Sequence, residues 1–332
     1  MLQLEGYVHR SGLHCGSAAL RNLAASYDWT FDEAAAFGFG SGLGARYDAR
    51  PDGSWKVFRG GAPWLERAFF EHFEVPHSVR EGDGWESAWD DVTGHVDRGD
   101  PVLLSLDPAD LAYLEEDHVP PHTVLAVGYD DDAVLLSDGV REEPTRLPLD
   151  DLRRAWDVDR FVTMRHRYLV VTRPRLVADR RTAATRAVRE TARFMVEPLN
   201  ASRATGAPGE EGIPALRAFA EDLSRWSDRD DPTGPVRDAV RSIEGHGEGA
   251  ALRSLYGEAI AELASWAHAG GDKGERVRDV AEQWRRVRST LTESLRTDDD
   301  AVRTAKLEAA SNLLTDVADR EEAIFEEIVE RV

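Results

Sequence analysis

Cysteine occurs once in the 332 residues, at position 15, within the stretch SGLHCGSAALRNL. It stands where an apolar helical pattern begins, since Ala19, Leu20, Leu23 and Ala24 follow at spacings that share one helix face. A thiol at a helix start lies near N–H groups without partners inside the helix and near the positive end of the helix dipole, and both favour thiolate. That position suits a nucleophile. It suits a small buried core residue equally well, because free cysteines are among the most buried residue types.

A second segment, PPHTVLAVGYDDDAVLLSDG, weighs toward chemistry. His122 opens one apolar strand and Asp138 ends the next. If Asp130, Asp131 and Asp132 form the turn of a hairpin, the far ends of the two strands lie side by side. An imidazole and a carboxylate then meet. A cysteine nucleophile needs such a pair: His122 as base and later acid, Asp138 to orient the ring and stabilise imidazolium. Taken singly, His122 reads as a strand-start histidine bonded to a loop carbonyl, and Asp138 as a turn residue before Gly139. The three together favour catalysis.

The elements that must carry these residues are legible as patterns. Helices are predicted at Cys15 to Tyr27, Ala62 to Phe73, Trp85 to Asp97 and Leu149 to Trp156. Strands are predicted at Val102 to Leu106, Thr123 to Tyr129, Ala133 to Ser137 and Phe161 to Val171. Helices first and a clustered antiparallel sheet afterwards make an α+β domain. Beyond Arg173-Pro174 the strand signal stops, and runs such as Val277, Val280, Ala281, Trp284, Val287 and Leu291 recur at helical steps. The second half reads as a helical bundle broken at 200–212, 228–235, 245–249 and 270–274.

Composition narrows the function classes. A formal charge of −21 opposes binding to nucleic acid or to an anionic membrane. There is no apolar run long enough to span a bilayer and no signal-peptide pattern at the N-terminus, so a cytoplasmic location is expected. One cysteine excludes an internal disulfide or a multi-cysteine zinc site. Lysine is scarce beside arginine and acids cluster, a surface suited to high salt, where the Debye length falls to about 3 Å at 1 M. A halophilic source would account for both features, whereas a GC-rich genome explains only the arginine.

HCGSAALRNLAASY, FGFGSGLG, HTVLAVGYDDDAVLLSD and LPLDDLRRAW resemble the N-terminal domain of the butirosin biosynthesis protein H family. The second half resembles the helical domain of unknown function that commonly follows it, through GIPALRAFAEDLSRW, IEGHGEGAALRSLYGEAIAELA and AEQWRRV. The resemblance implies a papain-like cysteine acyltransferase/peptidase fold over residues 1–172 and an all-α helical domain over 173–332. It implies transfer of an acyl group from the phosphopantetheine arm of an acyl carrier protein to an amine, of an aminoglycoside in the named family member, through an enzyme thioester. Carried over by motif, Cys15 is the nucleophile, His122 the base and Asp138 the orienting acid. No cofactor is implied. The helical domain would shape or cover the site, or mediate self-association.

Papain-like peptidases carry a glutamine shortly before the cysteine as an oxyanion donor, but the stretch here reads HRSGLHC. His9 could donate instead, and the N–H of Cys15 is the safer donor; Gln3 lies too far upstream. FGFGSGLG follows no strand and lacks a Gly-Lys-Ser/Thr ending, so Gly40 and its neighbours are expected to wall the cleft, not to cradle phosphate. In SLDPADLAYLEEDHVPPH, Asp107, Glu115 or Glu116 could recognise an amine; a helix cap at Asp107 is an equal reading. His9, His14, Gly40, Asp107 and Tyr113 are thus the expected substrate contacts. A metal site through Asp117, His118 and His122 is not expected, because Pro120-Pro121 breaks the helix that would align them. Arg153, Arg154, Arg160, Arg165 and Arg167 could dock an acidic carrier or a phosphate, or simply balance charge. An amidase or peptidase, and a silent binding module, are the competing readings.

Overall fold

The computed structural model describes residues 2–50, 52–114, 121–160, 162–198, 209–245 and 249–332. The chain forms two compact units, neither a single run of sequence: Met1–Ala36 with Phe73–Ala178, and Phe37–His72 with Asp179–Val332. The division expected at 172/173 lies near the later crossing, but 37–72 belongs to the helical unit.

The first unit is built on an antiparallel sheet. Its strands are β1 (Leu2–Gln3), β4 (His77–Arg80), β5 (Val102–Leu106), β6 (His122–Tyr129), β7 (Ala133–Ser137), β8 (Thr145–Pro148) and β11 (Tyr168–Val171). Their order is β4-β11-β5-β6-β7-β8, with β1 pairing the end of β6. β6 is buried from His122 to Gly128, so both faces of the strand are covered. Helices α1 (Cys15–Ser26) and α4 (Trp85–Asp97) both pack on it. The β6–β7 hairpin turns where expected: Asp130 N donates to Ala133 O at 2.9 Å, and Asp132 N to Asp130 Oδ1 at 3.0 Å. The apolar run Phe161 to Val171 is not one strand. It splits into β10 (Val162–Arg165) and β11 at His166, whose φ of 47° no extended strand can hold.

α1 begins at the cysteine for local reasons. His14 takes the N-cap, its Nδ1 accepting from Ser17 N at 3.3 Å, and every residue from Gly16 to Ala24 is buried, so the helix is enclosed all round and not on one face alone. The helix closes at Tyr27, and the next residue, Asp28, turns left-handed at φ 60°.

The second unit is not purely helical. β2 (Leu43–Ala49) and β3 (Lys56–Gly61) pair as a hairpin, and β12 (Gly209–Glu211) adds to β2. This three-stranded sheet is the reason 37–72 leaves the first unit: its middle strand is bonded to a strand that follows residue 208. The glycine-rich stretch FGFGSGLG lies here, with Gly40 buried in the turn after α2 (Glu33–Phe39). Its glycines permit close packing within this unit: a Cβ on Gly38 would stand 2.6 Å from that of Ala259, and one on Gly42 would stand 2.5 Å from Leu65 Cδ1. Its described helices, after α2, are α3 (Leu65–His72), α6 (Arg180–Val196), α7 (Gly212–Arg225), α8 (Thr233–Glu244), α9 (Arg253–Ala267), α10 (Lys273–Ser294) and α11 (Asp300–Arg331). The predicted apolar steps Val277, Val280, Trp284, Val287 and Leu291 are all buried in α10. At its centre Arg253 bonds Glu321 through two parallel contacts of 2.8 Å, and Trp284 Nε1 donates to Glu321 at 2.9 Å. Among the described residues no helix is long and apolar enough to cross a membrane.

Candidate active site

The hairpin delivers the juxtaposition its sequence suggested. His122 Nε2 lies 2.7 Å from Asp138 Oδ2, with both side chains buried, at 2% and 0% exposure. The same imidazole has the Cys15 side chain as a hydrogen-bond partner. With Nε2 on the carboxylate, Nδ1 is the ring nitrogen left for sulfur. Cys15 itself is half-buried, whereas His122 and Asp138 are buried.

Burial alone would push the His122 imidazolium down; the Asp138 carboxylate more than offsets this, with Cys15 adding to it, and the group is pushed up to about 10. For Asp138 burial again opposes charge, but His122, the Val140 N–H at 3.2 Å and the Tyr113 hydroxyl at 2.9 Å hold it below the usual carboxylate range.

Two glycines bring the cysteine loop onto the end of β7. Gly12 N donates to Gly139 O at 2.8 Å, and a Cβ on either residue would press on Ala18 Cβ, at 2.7 Å for Gly12 and 2.6 Å for Gly139. Helix α1 thus seats directly against the residue after Asp138. The N–H groups of Ser17 and Ala18 turn back to His14 Nδ1 and O. The amides of Cys15 and Gly16, at the helix start, remain available to a negative charge forming near the sulfur.

The expected substrate contacts are distributed differently. Tyr113 donates to Asp138 Oδ2, the oxygen that also faces His122, and so supports the acid. His9 is no oxyanion donor in this arrangement: Nδ1 meets Ser137 Oγ at 2.7 Å and Nε2 meets Arg141 O at 2.9 Å. Tyr7 OH donates to the same Ser137 Oγ at 2.7 Å, which fixes the sense of the network: hydroxyl to hydroxyl to Nδ1, with Nε2–H on the carbonyl. His14 is the N-cap of α1. Asp107 caps a short 3₁₀ turn, accepting from Ala109 N at 3.0 Å, as its alternative reading held. Gly40 lies in the other compact unit. Glu115, Glu116, Asp117 and His118 fall outside the described residues. Among those described, no group of three or more His, Cys, Asp and Glu side chains is arranged to hold a metal ion. Of the arginines after the hairpin, Arg153 meets Glu86, Arg154 Asp151, Arg165 Asp157 and Arg167 Glu81, while the Arg160 side chain falls outside those described.

Residues 14–139 match the family model described as "Butirosin biosynthesis protein H, N-terminal", and residues 150–328 match "Domain of unknown function (DUF4872)", the latter over more than half the chain. The chain belongs to the DUF4872 family, with a butirosin H-type domain ahead of it. The butirosin H match runs through Cys15, His122 and Asp138 and continues across 37–72, so the family's linear domain includes a segment that packs in the helical unit. No curated protein matches the chain. Among solved structures, one described as a C39-like peptidase from Bacillus anthracis is similar at 15% identity and TM-score 0.39, over 52% of this chain and 97% of that one. A likeness of that size carries no inference.

Tyr113→Phe removes only a hydroxyl donor from Asp138. Without that donor the Asp138 carboxylate is held less far below its ordinary range, because a hydrogen bond to the charged form is one of the causes that depress it. A depressed carboxylate contributes stability that is present above its ordinary pKa and lost as pH falls through its folded value. The acid-side loss of stability is therefore expected to begin at higher pH in Tyr113→Phe, read from urea midpoints between pH 6 and about 3; superimposed profiles would remove Tyr113 from the network.

Proposed function

We propose that this protein is a cysteine-dependent acyltransferase of papain-like fold, moving an acyl group from a carrier thioester to a small-molecule amine through an acyl-Cys15 intermediate. The observation that carries the reading is the single imidazole shared between the Asp138 carboxylate at 2.7 Å and the Cys15 thiol. The match of residues 14–139 to the butirosin biosynthesis protein H N-terminal model supports acyl transfer over other thiol chemistry.

In the first half-reaction sulfur attacks the thioester carbonyl carbon while its proton is held on His122, the imidazolium that Asp138 favours. The carbonyl oxygen becomes an oxyanion held by the N–H groups of Cys15 and Gly16. Collapse breaks the bond to the donor sulfur, which leaves with the proton from His122. In the second half-reaction an amine gives its proton to His122 and attacks the acyl carbon. The Cys15 thiolate leaves, takes the proton back, and an amide is released. Asp138 stabilises the imidazolium in both halves. Amine prevails over water only if the site positions it and keeps bulk solvent out.

The test is intact-mass analysis of the full chain after incubation with a short acyl thioester, with and without a panel of primary amines. The expected result is one acyl adduct on Cys15, discharged faster by an amine than by water, and no adduct in Cys15→Ala. Adduct formation with discharge to water alone would make the protein a hydrolase. An adduct persisting in Cys15→Ala, or none in the wild type, would end the proposal and leave the fold as a binding module.

A further inference from the structure

The geometry points to Glu33 as a positioning residue for the nucleophile: its carboxylate holds the peptide before Cys15 so that the first amides of α1 aim at the forming oxyanion. The inference rests on Cys15 being the attacking group. One carboxylate gathers the donors of the presenting loop. Leu13 N reaches Glu33 Oε1 and Oε2 at 2.9 and 3.1 Å, His14 N reaches Oε1 at 2.8 Å, and Ser17 Oγ donates to Oε1 at 3.1 Å. Arg21 Nη1 stands 3.5 Å from Oε2, with the two side chains 5% and 12% exposed.

The loop's carbonyls are held from the other side. Arg21 Nη2 donates to Arg10 O and, at 3.0 Å, to Ser11 O; Asn22 Nδ2 donates to Arg10 O at 2.9 Å. Amides pinned by Glu33 and carbonyls pinned by Arg21 and Asn22 leave the 10–14 backbone little rotational freedom. That freedom matters because the peptide joining His14 to Cys15 sets where the Cys15 N–H points. Glu33 is not at the reacting atoms. A second function of the carboxylate follows from its pairing: Arg21 neutralises it, so the α1 N-terminus gains rigidity without a net negative charge beside the oxyanion.

Acylation and alkylation of the same thiol separate this role from a structural one. Acylation passes through an oxyanion, whereas displacement of iodide from iodoacetamide forms none. Glu33→Gln keeps the volume and one acceptor oxygen. Because it strands a buried guanidinium, Glu33→Gln/Arg21→Gln is measured beside it. For variants that keep the wild-type circular dichroism, the expected result is single-turnover acylation at saturating thioester slowed by about 30-fold or more, since loss of one oxyanion donor costs 10²–10³. Thioester KM and the iodoacetamide rate should stay within about threefold, because ground-state binding and the thiol itself are untouched. Acylation at the wild-type rate, or acylation and alkylation falling by the same factor, overturns the inference. Failure of the acyltransferase reading is distinct from either, since the wild type itself would then form no acyl adduct.

Discussion

Asp138→Asn is expected to slow acylation of Cys15 by about 10²–10⁴-fold, the range that a positioned general acid–base group supplies. The substitution changes little in shape, so the loss comes from charge. In the wild type, burial disfavours imidazolium and the Asp138 carboxylate reverses that, holding His122 at about 10. With a neutral amide at 138 only burial and the thiol remain, and His122 should titrate near or below an ordinary histidine, about 6.5. The amide has also to place its NH₂ group against a donor, either the Val140 N–H or the His122 and Tyr113 pair. NMR titration of the His122 ring protons checks the first effect, and single-turnover acylation the second.

The same substitution alters stability against pH. A histidine whose folded pKa is raised contributes stability that is whole below its unfolded value, about 6.5, and lost as pH rises through the folded value, here about 10. The wild type should therefore lose stability across that window, and Asp138→Asn should lose less. Equal slopes in urea midpoints over the window would mean that the pair is not ionised as described.

Glu321→Ala is expected to destabilise the helical unit by about 3–5 kcal/mol, because removing one member of a buried ion pair leaves the other charged and unpaired. Arg253 is fully buried, donates to Glu321 twice at 2.8 Å, and also reaches Gly44 O at 2.9 Å and Ala251 O at 2.8 Å. Its guanidinium lies over the Trp284 ring at 5.1 Å, and that ring's N–H needs Glu321 as acceptor. Replacing both charges, as Arg253→Met/Glu321→Leu, should recover part of the loss by removing the stranded cation. Urea unfolding followed by circular dichroism measures both, and a loss below about 1 kcal/mol in Glu321→Ala would show that the interior accommodates the free guanidinium.

The residues of the site were legible because each carried a local signal. Cys15 stood at the head of an apolar helix, and His122 and Asp138 at the open ends of two short strands flanking an acidic turn. Glu33 carried none. Beside Asp32 it reads as ordinary first-turn acid, and Asp32 does cap α2, accepting from Ala35 N at 2.7 Å. Tyr113, shortly before the histidine, reads as a substrate contact; nothing in its surroundings along the chain marks it as a donor to Asp138. His9 likewise had a plausible position for an oxyanion donor, and only its neighbours in space, Ser137 and Arg141, decided otherwise.

Spacing and composition alone determined the helix starting at Cys15, the β6–β7 hairpin and the helical second half, since periodic burial and turn chemistry act over a few residues at a time. The tertiary structure decided what depends on pairing between distant segments: that 37–72 packs with the helical unit through β12, that FGFGSGLG serves close packing there, and that one carboxylate at 33 clasps the loop before the thiol. Hydrogen bonds and close backbone approach are set by which surfaces meet, and a linear pattern carries no term for that.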